Sequence, residues 1–154
     1  MIDIPGYKSL HIEHIVCDYN GTIAKDGLLL PGIESLFKEL SHSYTIHVIT
    51  ADTFGSVARQ LEKCDVAVKI LTSSNHTEEK HAYVESLDSK TCAAIGNGNN
   101  DETMIGGAEL GIAILGDEGC AATTLKAADI VCKSATDALE LFLHPKRLVA
   151  TLRR

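Results

Sequence analysis

Short apolar runs alternate along this chain with polar stretches whose apolar positions recur at helical spacing, the arrangement of βα units wound around a parallel sheet. The runs predict strands at about 13–18, 44–50, 66–71, 92–96, 111–115 and 129–132, with helices between them at about 32–41, 53–63, 77–87, 100–107 and 119–127. Pro31 suits a first helical turn, after which Leu36, Phe37 and Leu40 give an apolar stripe. Ala135 to Leu143 and Pro145 to Leu152 read as two helices broken at Pro145. The expected fold class is α/β, a Rossmann-like parallel sheet flanked by helices, with residues 1–154 as a single domain. No internal repeat, low-complexity tract or linker interrupts the pattern.

Composition narrows the partners. A chain of 154 residues has the size of one domain and can bury roughly 70% of its unfolded surface. The formal net charge of −7, without a run rich in Lys or Arg, argues against nucleic acid or an anionic membrane as partner. Lys146, Arg147, Arg153 and Arg154 are read as favourable charge at the end of a terminal helix. No apolar run approaches the ~20 residues that span a bilayer, and the first residues lack the marks of a signal peptide, so a cytoplasmic protein is expected. Cys17, Cys64, Cys92, Cys120 and Cys132 are scattered singly and read as buried free thiols. The 7 histidines offer no convincing third-ligand spacing and read as surface or capping residues.

The chemistry-bearing residues fall at the ends of the predicted strands. Asp18 opens the run Asp18-Tyr19-Asn20-Gly21-Thr22 directly behind Ile15-Val16-Cys17, which puts a carboxylate at the carboxyl end of a buried strand, on a glycine-containing turn. A carboxylate placed there can attack phosphorus, provided a cation and hydrogen-bond donors offset the phosphate's charge. Ile46-His47-Val48-Ile49-Thr50 ends in a hydroxyl, Lys80 lies early in a polar helical segment, and Gly96-Asn97-Gly98-Asn99-Asn100-Asp101 follows Ala93-Ala94-Ile95.

Taken in order, these segments resemble the sequence motifs of the haloacid dehalogenase superfamily of phosphohydrolases and phosphotransferases. The first and last of them, with Ala108 to Ile114 and Ala127 to Val131, look more narrowly like the phosphorylation domain of P-type ATPases, and most like the small soluble P-type ATPase-like proteins. Superfamily members often insert a cap domain. Here the gap after Asp18 holds only a short flap, Ile23 to Leu30, and one helix, so a capless form is expected, and self-association is one way such a site would be closed.

The resemblance implies roles. Asp18 would be the nucleophile, Thr50 with the backbone N–H groups of Tyr19, Asn20 and Ala51 would hold the phosphoryl oxygens, and Lys80 would compensate their charge. Asp18, Asn20, Asn97 and Asp101 would hold Mg²⁺. Two positions depart from the usual pattern. Asn20 stands where phosphatases of this superfamily carry an Asp as general acid and base, and an amide cannot exchange a proton at neutral pH. Asn97 stands where an Asp usually ligates the metal, and its oxygen brings no charge.

The leading expectation is a Mg²⁺-dependent phosphohydrolase or phosphotransferase acting on a small phosphorylated molecule through an aspartyl-phosphate at Asp18, slowed by Asn20 and Asn97. The rival is a catalytically weakened phosphate- or nucleotide-responsive module. A response-regulator receiver fits poorly, because the acidic residues before Asp18 are only Asp3 and Glu13.

Overall fold

The computed structural model describes residues 1–52 and 55–154. In chain order the strands and helices are β1 (Ile2–Asp3), β2 (Ser9–Leu10), β3 (His14–Asp18), β4 (Ala24–Lys25), β5 (Leu28–Leu29), α1 (Ile33–Leu40), β6 (Thr45–Thr50), α2 (Ser56–Gln60), β7 (Ala67–Ile70), α3 (His76–Ser86), β8 (Cys92–Gly96), α4 (Glu102–Gly107), β9 (Leu110–Ile114), α5 (Ala122–Ala127), β10 (Ile130–Cys132), α6 (Ala135–Leu143) and α7 (Pro145–Leu152). Six strands form one sheet in the order β10-β9-β8-β3-β6-β7, with every neighbouring pair parallel.

The four central strands, β9, β8, β3 and β6, are covered on both faces and read as continuous apolar runs, while the edge strands expose Val68 and Val131. Alternate residues nevertheless serve different layers. Ile15 and Cys17 join Ile46, Val48, Ala93 and Ile95 in the core under α1 and α6. Val16, Ile49, Cys92 and Ala94 pack on the other face against Val84 of α3 and Met104 and Ile105 of α4. The chain leaves β3 toward β6 and β7, then returns through α3 to lay β8, β9 and β10 on the opposite side of β3. Asp18 therefore ends the strand at which the winding direction changes, where α/β sheets open a crevice.

Local differences from the sequence reading have local causes. Gly32 has φ 89°, a left-handed value, so α1 starts at Ile33 and Pro31 lies outside it; the buried stripe is Ile33, Phe37 and Leu40, with Leu36 only half-buried. The helix read at 53–63 is shorter: its first two residues lie outside the described ones, α2 runs Ser56–Gln60, and Leu61 leaves helical geometry at φ −103° and ψ 5°. The α5 helix begins at Ala122 rather than 119, because Gly119 has φ 78° and Ala121 is extended. The break at Pro145 falls where predicted, after His144.

Two short antiparallel hairpins add to the sheet. One pairs β1 with β2, and the other, β4 with β5, builds the flap over residues 23–30 around Asp26 and Gly27, whose φ values of 51° and 80° suit a two-residue hairpin turn. All five cysteines are free, with Cys17 and Cys92 buried and Cys64, Cys120 and Cys132 half-buried. The histidine reading needs correction. His47 is 5% exposed, and its ring nitrogens lie 3.0 Å from His14 Nδ1 and 2.7 Å from the Tyr83 hydroxyl. Burial first, and then the neighbouring His14, push its pKa down to about 4, so it sits neutral in the core. Among the described residues no helix is long and apolar enough to cross a membrane.

Candidate active site

Asp18 emerges from β3 with 8% of its surface exposed. Because β3 is central, the loops after β3, β6 and β8 meet around it, and α3 brings Lys80 from the side. Asn75 caps α3 by accepting the Glu78 N–H at 3.2 Å, which fixes where the helix starts and so where Lys80 points. The Lys80 ammonium, on a side chain 3% exposed, donates to Asp18 Oδ1 at 2.9 Å, Asp101 Oδ1 at 2.7 Å and Asn100 Oδ1 at 3.0 Å. Its hydrogen-bonding capacity is filled.

The other oxygen of Asp18 faces a hydroxyl that the sequence reading did not select. Thr22 Oγ1 lies 3.1 Å from Asp18 Oδ2 and 3.2 Å from Asn97 Oδ1. Those two oxygens thus converge on one point. The Asn97 amide is oriented by its Nδ2, which donates to the Gly119 carbonyl at 3.1 Å. Gly21 makes the approach feasible: its φ is +79°, and a Cβ there would lie 2.3 Å from Asn97 Nδ2.

Asp101 is fully buried, and both its oxygens are engaged by protein donors. Oδ1 takes Lys80, while Oδ2 accepts the backbone N–H groups of Asn97 at 3.1 Å and Gly98 at 2.9 Å. It ties the loop after β8 to the ammonium. Gly96 permits this, since a Cβ there would fall 2.5 Å from Asp101 Oδ2. The loop is also held from α5, where Thr124 donates to the Gly98 carbonyl at 2.6 Å and Thr123 to Asn99 Oδ1 at 2.7 Å.

The remaining selected residues stand at the margin. Thr50 ends β6, buried, with its hydroxyl accepting the Asp52 N–H at 3.3 Å rather than meeting Asp18. Asn20 and Ala51 are exposed and line a cavity of about 250 Å3 together with Tyr19, Gly27 and Asp52. The structure thus brings together Asp18, Lys80, Asp101 and Asn97, adds Thr22 and Asn100, sets Tyr19, Asn20 and Ala51 on a neighbouring cavity that Asp18 does not itself line, and leaves Thr50 buried at the end of β6. A hydroxyl four residues after Asp18 was a visible signal for Thr22. Nothing in the sequence marked Asn100 among its neighbouring asparagines.

The electrostatics follow from burial. Desolvation, and then the charge of Asp101, raise the Asp18 pKa to about 7, against the opposing pull of Lys80 and Thr22. Burial alone would lower the Lys80 pKa, but the charges and hydrogen bonds of Asp18 and Asp101 outweigh it, and Lys80 lies above its usual value. No group of three or more His, Cys, Asp or Glu among the described residues could hold a metal. A cation at this site would rely on Asp18 Oδ2, the Asn97 amide oxygen, a carbonyl of Asn20 and water, a hard-oxygen set that suits Mg²⁺ with most of its hydration kept.

Replacing Lys80 by Met keeps the stem but removes the one ammonium between two buried carboxylates. The variant is expected to lose about 3–5 kcal/mol of stability at pH 8, and less at pH 5, where a proton can take the ammonium's place. Urea unfolding at the two pH values measures this. An equal loss at both would mean that the two carboxylates are not ionised together.

Solved structures share this architecture. A 3-deoxy-D-manno-octulosonate 8-phosphate phosphatase from Moraxella catarrhalis, in complex with magnesium, phosphate and KDO, superposes with a TM-score of 0.73 over 93% of this chain and 94% of its own, at 17% identity. The cobalt-bound form of a deoxy-D-mannose-octulosonate 8-phosphate phosphatase from Haemophilus influenzae gives 0.72 over 87% of this chain and 88% of its own, at 12% identity. The fold is that of the haloacid dehalogenase superfamily phosphatases. No protein-family model matches the chain. An uncharacterized protein of Methanocaldococcus jannaschii is 52% identical over 64 residues, covering 42% of this chain and 69% of the archaeal one. This chain belongs to the same family as that archaeal protein.

Proposed function

We propose that this chain is a Mg²⁺-dependent phosphohydrolase or phosphotransferase that works through an aspartyl-phosphate at Asp18. One observation carries the reading: a nearly buried carboxylate at the end of the central strand, with a buried ammonium on one oxygen and the hydroxyl of Thr22 on the other. The fold shared with phosphatases that bind magnesium or cobalt supports it. The run from Asp18 to Thr22 and the loop from Gly96 to Asp101 support a closer relation to the phosphorylation domain of P-type ATPases, and with it a phosphoenzyme that persists.

In the first step Asp18 Oδ1 bonds to phosphorus as the ester P–O bond breaks, and the departing alkoxide takes a proton from water. The Lys80 ammonium remains beside the new acyl phosphate and offsets its charge. The backbone N–H groups of Tyr19, Asn20 and Ala51, with Thr50, hold the phosphoryl oxygens. In the second step water or an acceptor alcohol attacks phosphorus, and Asp18 leaves as a carboxylate. Asp18, Asn97 and a carbonyl of Asn20 would hold Mg²⁺, which supplies positive charge to the phosphoryl oxygens. Asp101, with both oxygens already engaged, fixes Lys80 and the loop rather than facing the cation directly.

Asn20 offers no proton to the leaving alkoxide and takes none from water. Loss of such a group costs typically 10²–10⁴-fold, so the first step is slow unless the leaving group is good, and the second is slow whatever the substrate. The test is hydrolysis of p-nitrophenyl phosphate with Mg²⁺ and with EDTA, read alongside intact mass for a phosphoenzyme. Mg²⁺-dependent turnover or a phosphorylated Asp18 is expected. A folded protein that binds tungstate or beryllofluoride but shows neither would make this a phosphate-responsive binding module instead.

A further inference from the structure

The helix that delivers Lys80 has little apolar grip on the sheet. The buried side chains of α3 are Lys80 and Val84, with Tyr83 half-buried beside them. A helix seated by its apolar face shows about three or four such positions in two turns, so burial alone leaves the rotation of α3 loosely set. Polar contacts fix it at two heights. At the crevice end Asn75 caps the helix, and Glu79 accepts the backbone N–H groups of Thr72 at 3.1 Å and Ser73 at 2.9 Å. Toward the amino ends of the strands, the Tyr83 hydroxyl lies 2.7 Å from His47 Nδ1, and His47 Nε2 lies 3.0 Å from His14 Nδ1.

This chain of three rings ties α3 to β6 and β3, and the reaction as described makes no use of it. Lys80 and Tyr83 are three residues apart, on neighbouring lines of one helix face, so a turn of α3 that frees Tyr83 carries Lys80 with it. With both imidazoles neutral the protons run in one direction along the chain, from Tyr83 through His47 to His14 or the reverse, and each contact has one donor. The groups that face His47 from the elements packed around it are His14 on β3 and Tyr83 on α3. In the same layer lie Cys92 on β8 and Lys69 on β7, and Lys69 is paired with Glu79 at 3.6 Å. Asp88, Glu85 and Glu13 act on the Cys92 thiol. Among the described residues no carboxylate bonds either imidazole, so a proton added to His47 is a buried charge without a counter-ion.

Resting on the phosphohydrolase reading above, in which Lys80 offsets the phosphoryl charge, we propose that Tyr83, locked by His47, is a positioning residue for Lys80. It sets the rotation of α3 that holds the ammonium between Asp18 and Asp101, and protonation of His47 releases it. The direction with pH follows from burial. His47 titrates at about 4 in the folded chain against 6.5 when unperturbed, so between those values the released form binds more protons than the locked one. The lock is therefore complete above 6.5 and is lost as pH falls toward 4.

Peptide-resolved hydrogen exchange of the α3 amides, corrected for intrinsic rates, reads the lock without catalysis. In the unaltered protein the opening of α3 is expected to rise about tenfold or more between roughly pH 7.5 and pH 5, and by more than that of α6 on the other face of the sheet. His47→Asn puts a hydrogen-bonding atom where Nδ1 stands but does not titrate, so its α3 opening should be flat over the same range. Tyr83→Phe keeps the ring and removes the hydroxyl, and at neutral pH it should reproduce the acid state. In that variant Lys80, 3% exposed in the parent, should be acetylated by a succinimidyl ester about tenfold faster relative to the exposed Lys126. Its kcat for p-nitrophenyl phosphate should fall by about 2–30-fold. Urea unfolding of the same samples separates local release from global loss. An α3 opening that ignores pH in the unaltered protein, pH dependence that persists in His47→Asn, or a Lys80 as protected in Tyr83→Phe as in the parent overturns the proposal. Should the variants not fold, the pH series of the unaltered protein decides alone. Absence of aryl phosphate turnover in the unaltered protein counts against the enzyme reading, whereas the exchange and acetylation results count for or against the lock.

Discussion

Asp18→Asn is expected to abolish the phosphoenzyme and reduce turnover of any phosphomonoester by at least about a thousandfold, as loss of a covalent nucleophile does elsewhere. The substitution is nearly isosteric, so it changes chemistry without opening a cavity. Lys80 keeps Asp101 as a one-to-one partner at 2.7 Å, so no buried charge is stranded. Stability should therefore not fall with activity.

The sign of the stability change can be argued further. Asp18 titrates near 7 in the folded chain against 3.8 when unperturbed, so between those values the folded state binds more protons than the unfolded one. Stability from this group is accordingly present below 3.8 and lost as pH rises toward 7. Asp18→Asn removes that loss, and the variant should melt at an equal or higher temperature than the parent at pH 8. Cys17→Ala is the matched control one residue back in β3, buried on the opposite face of the sheet; it should keep the phosphoenzyme. Full activity in verified Asp18→Asn protein would mean another nucleophile.

The strands were legible because each is a short apolar run closed by polar residues, and because the central strands of a parallel sheet, buried on both faces, leave no alternation to misread. Their order was not legible, since hydrophobicity does not record which neighbour a strand chooses. The two-residue strands of the hairpins are too short to carry a period. His47 shows how a strand's geometry overrides composition: in Ile46-His47-Val48-Ile49 it alternates with Ile46 and Val48 and faces α3, where Tyr83 takes its ring nitrogen. The site was legible in outline because Asp18 and the Gly96 to Asp101 loop end adjacent strands. Lys80 was found from its place in the chain order. What the sequence could not reveal was engagement: that Asp101 spends both oxygens on protein donors, and that Thr22 stands between Asp18 and Asn97.

Asn20→Asp should raise turnover of a phosphate monoester by about one to three powers of ten, because it returns a titratable group to the opening with almost no change in shape. Asn20 is exposed, so the added carboxylate needs no buried partner. Asn97→Asp is a different kind of change. The Asn97 amide donates to the Gly119 carbonyl at 3.1 Å, and a carboxylate there would face that carbonyl without a donor, at a cost of about 1–3 kcal/mol. The double variant should therefore be less stable than Asn20→Asp alone when metal is absent, and should recover most of that loss as Mg²⁺ is added, since a ligand that binds only the folded state stabilises it by mass action. Melting temperature against Mg²⁺ concentration reads this without reference to catalysis. Asn20-Gly21 and Asn97-Gly98 are sequences prone to deamidation, but the Gly21 and Gly98 N–H groups that would close the ring donate to Ala24 O and Asp101 Oδ2, each at 2.9 Å, which slows the reaction in the folded chain. Peptide mass analysis of the assayed sample is the check, and both amides are expected to be intact in the parent. A verified double-Asp protein that folds, gains Mg²⁺-dependent stability and still hydrolyses nothing across a broad panel would leave the binding-module reading in possession of the site.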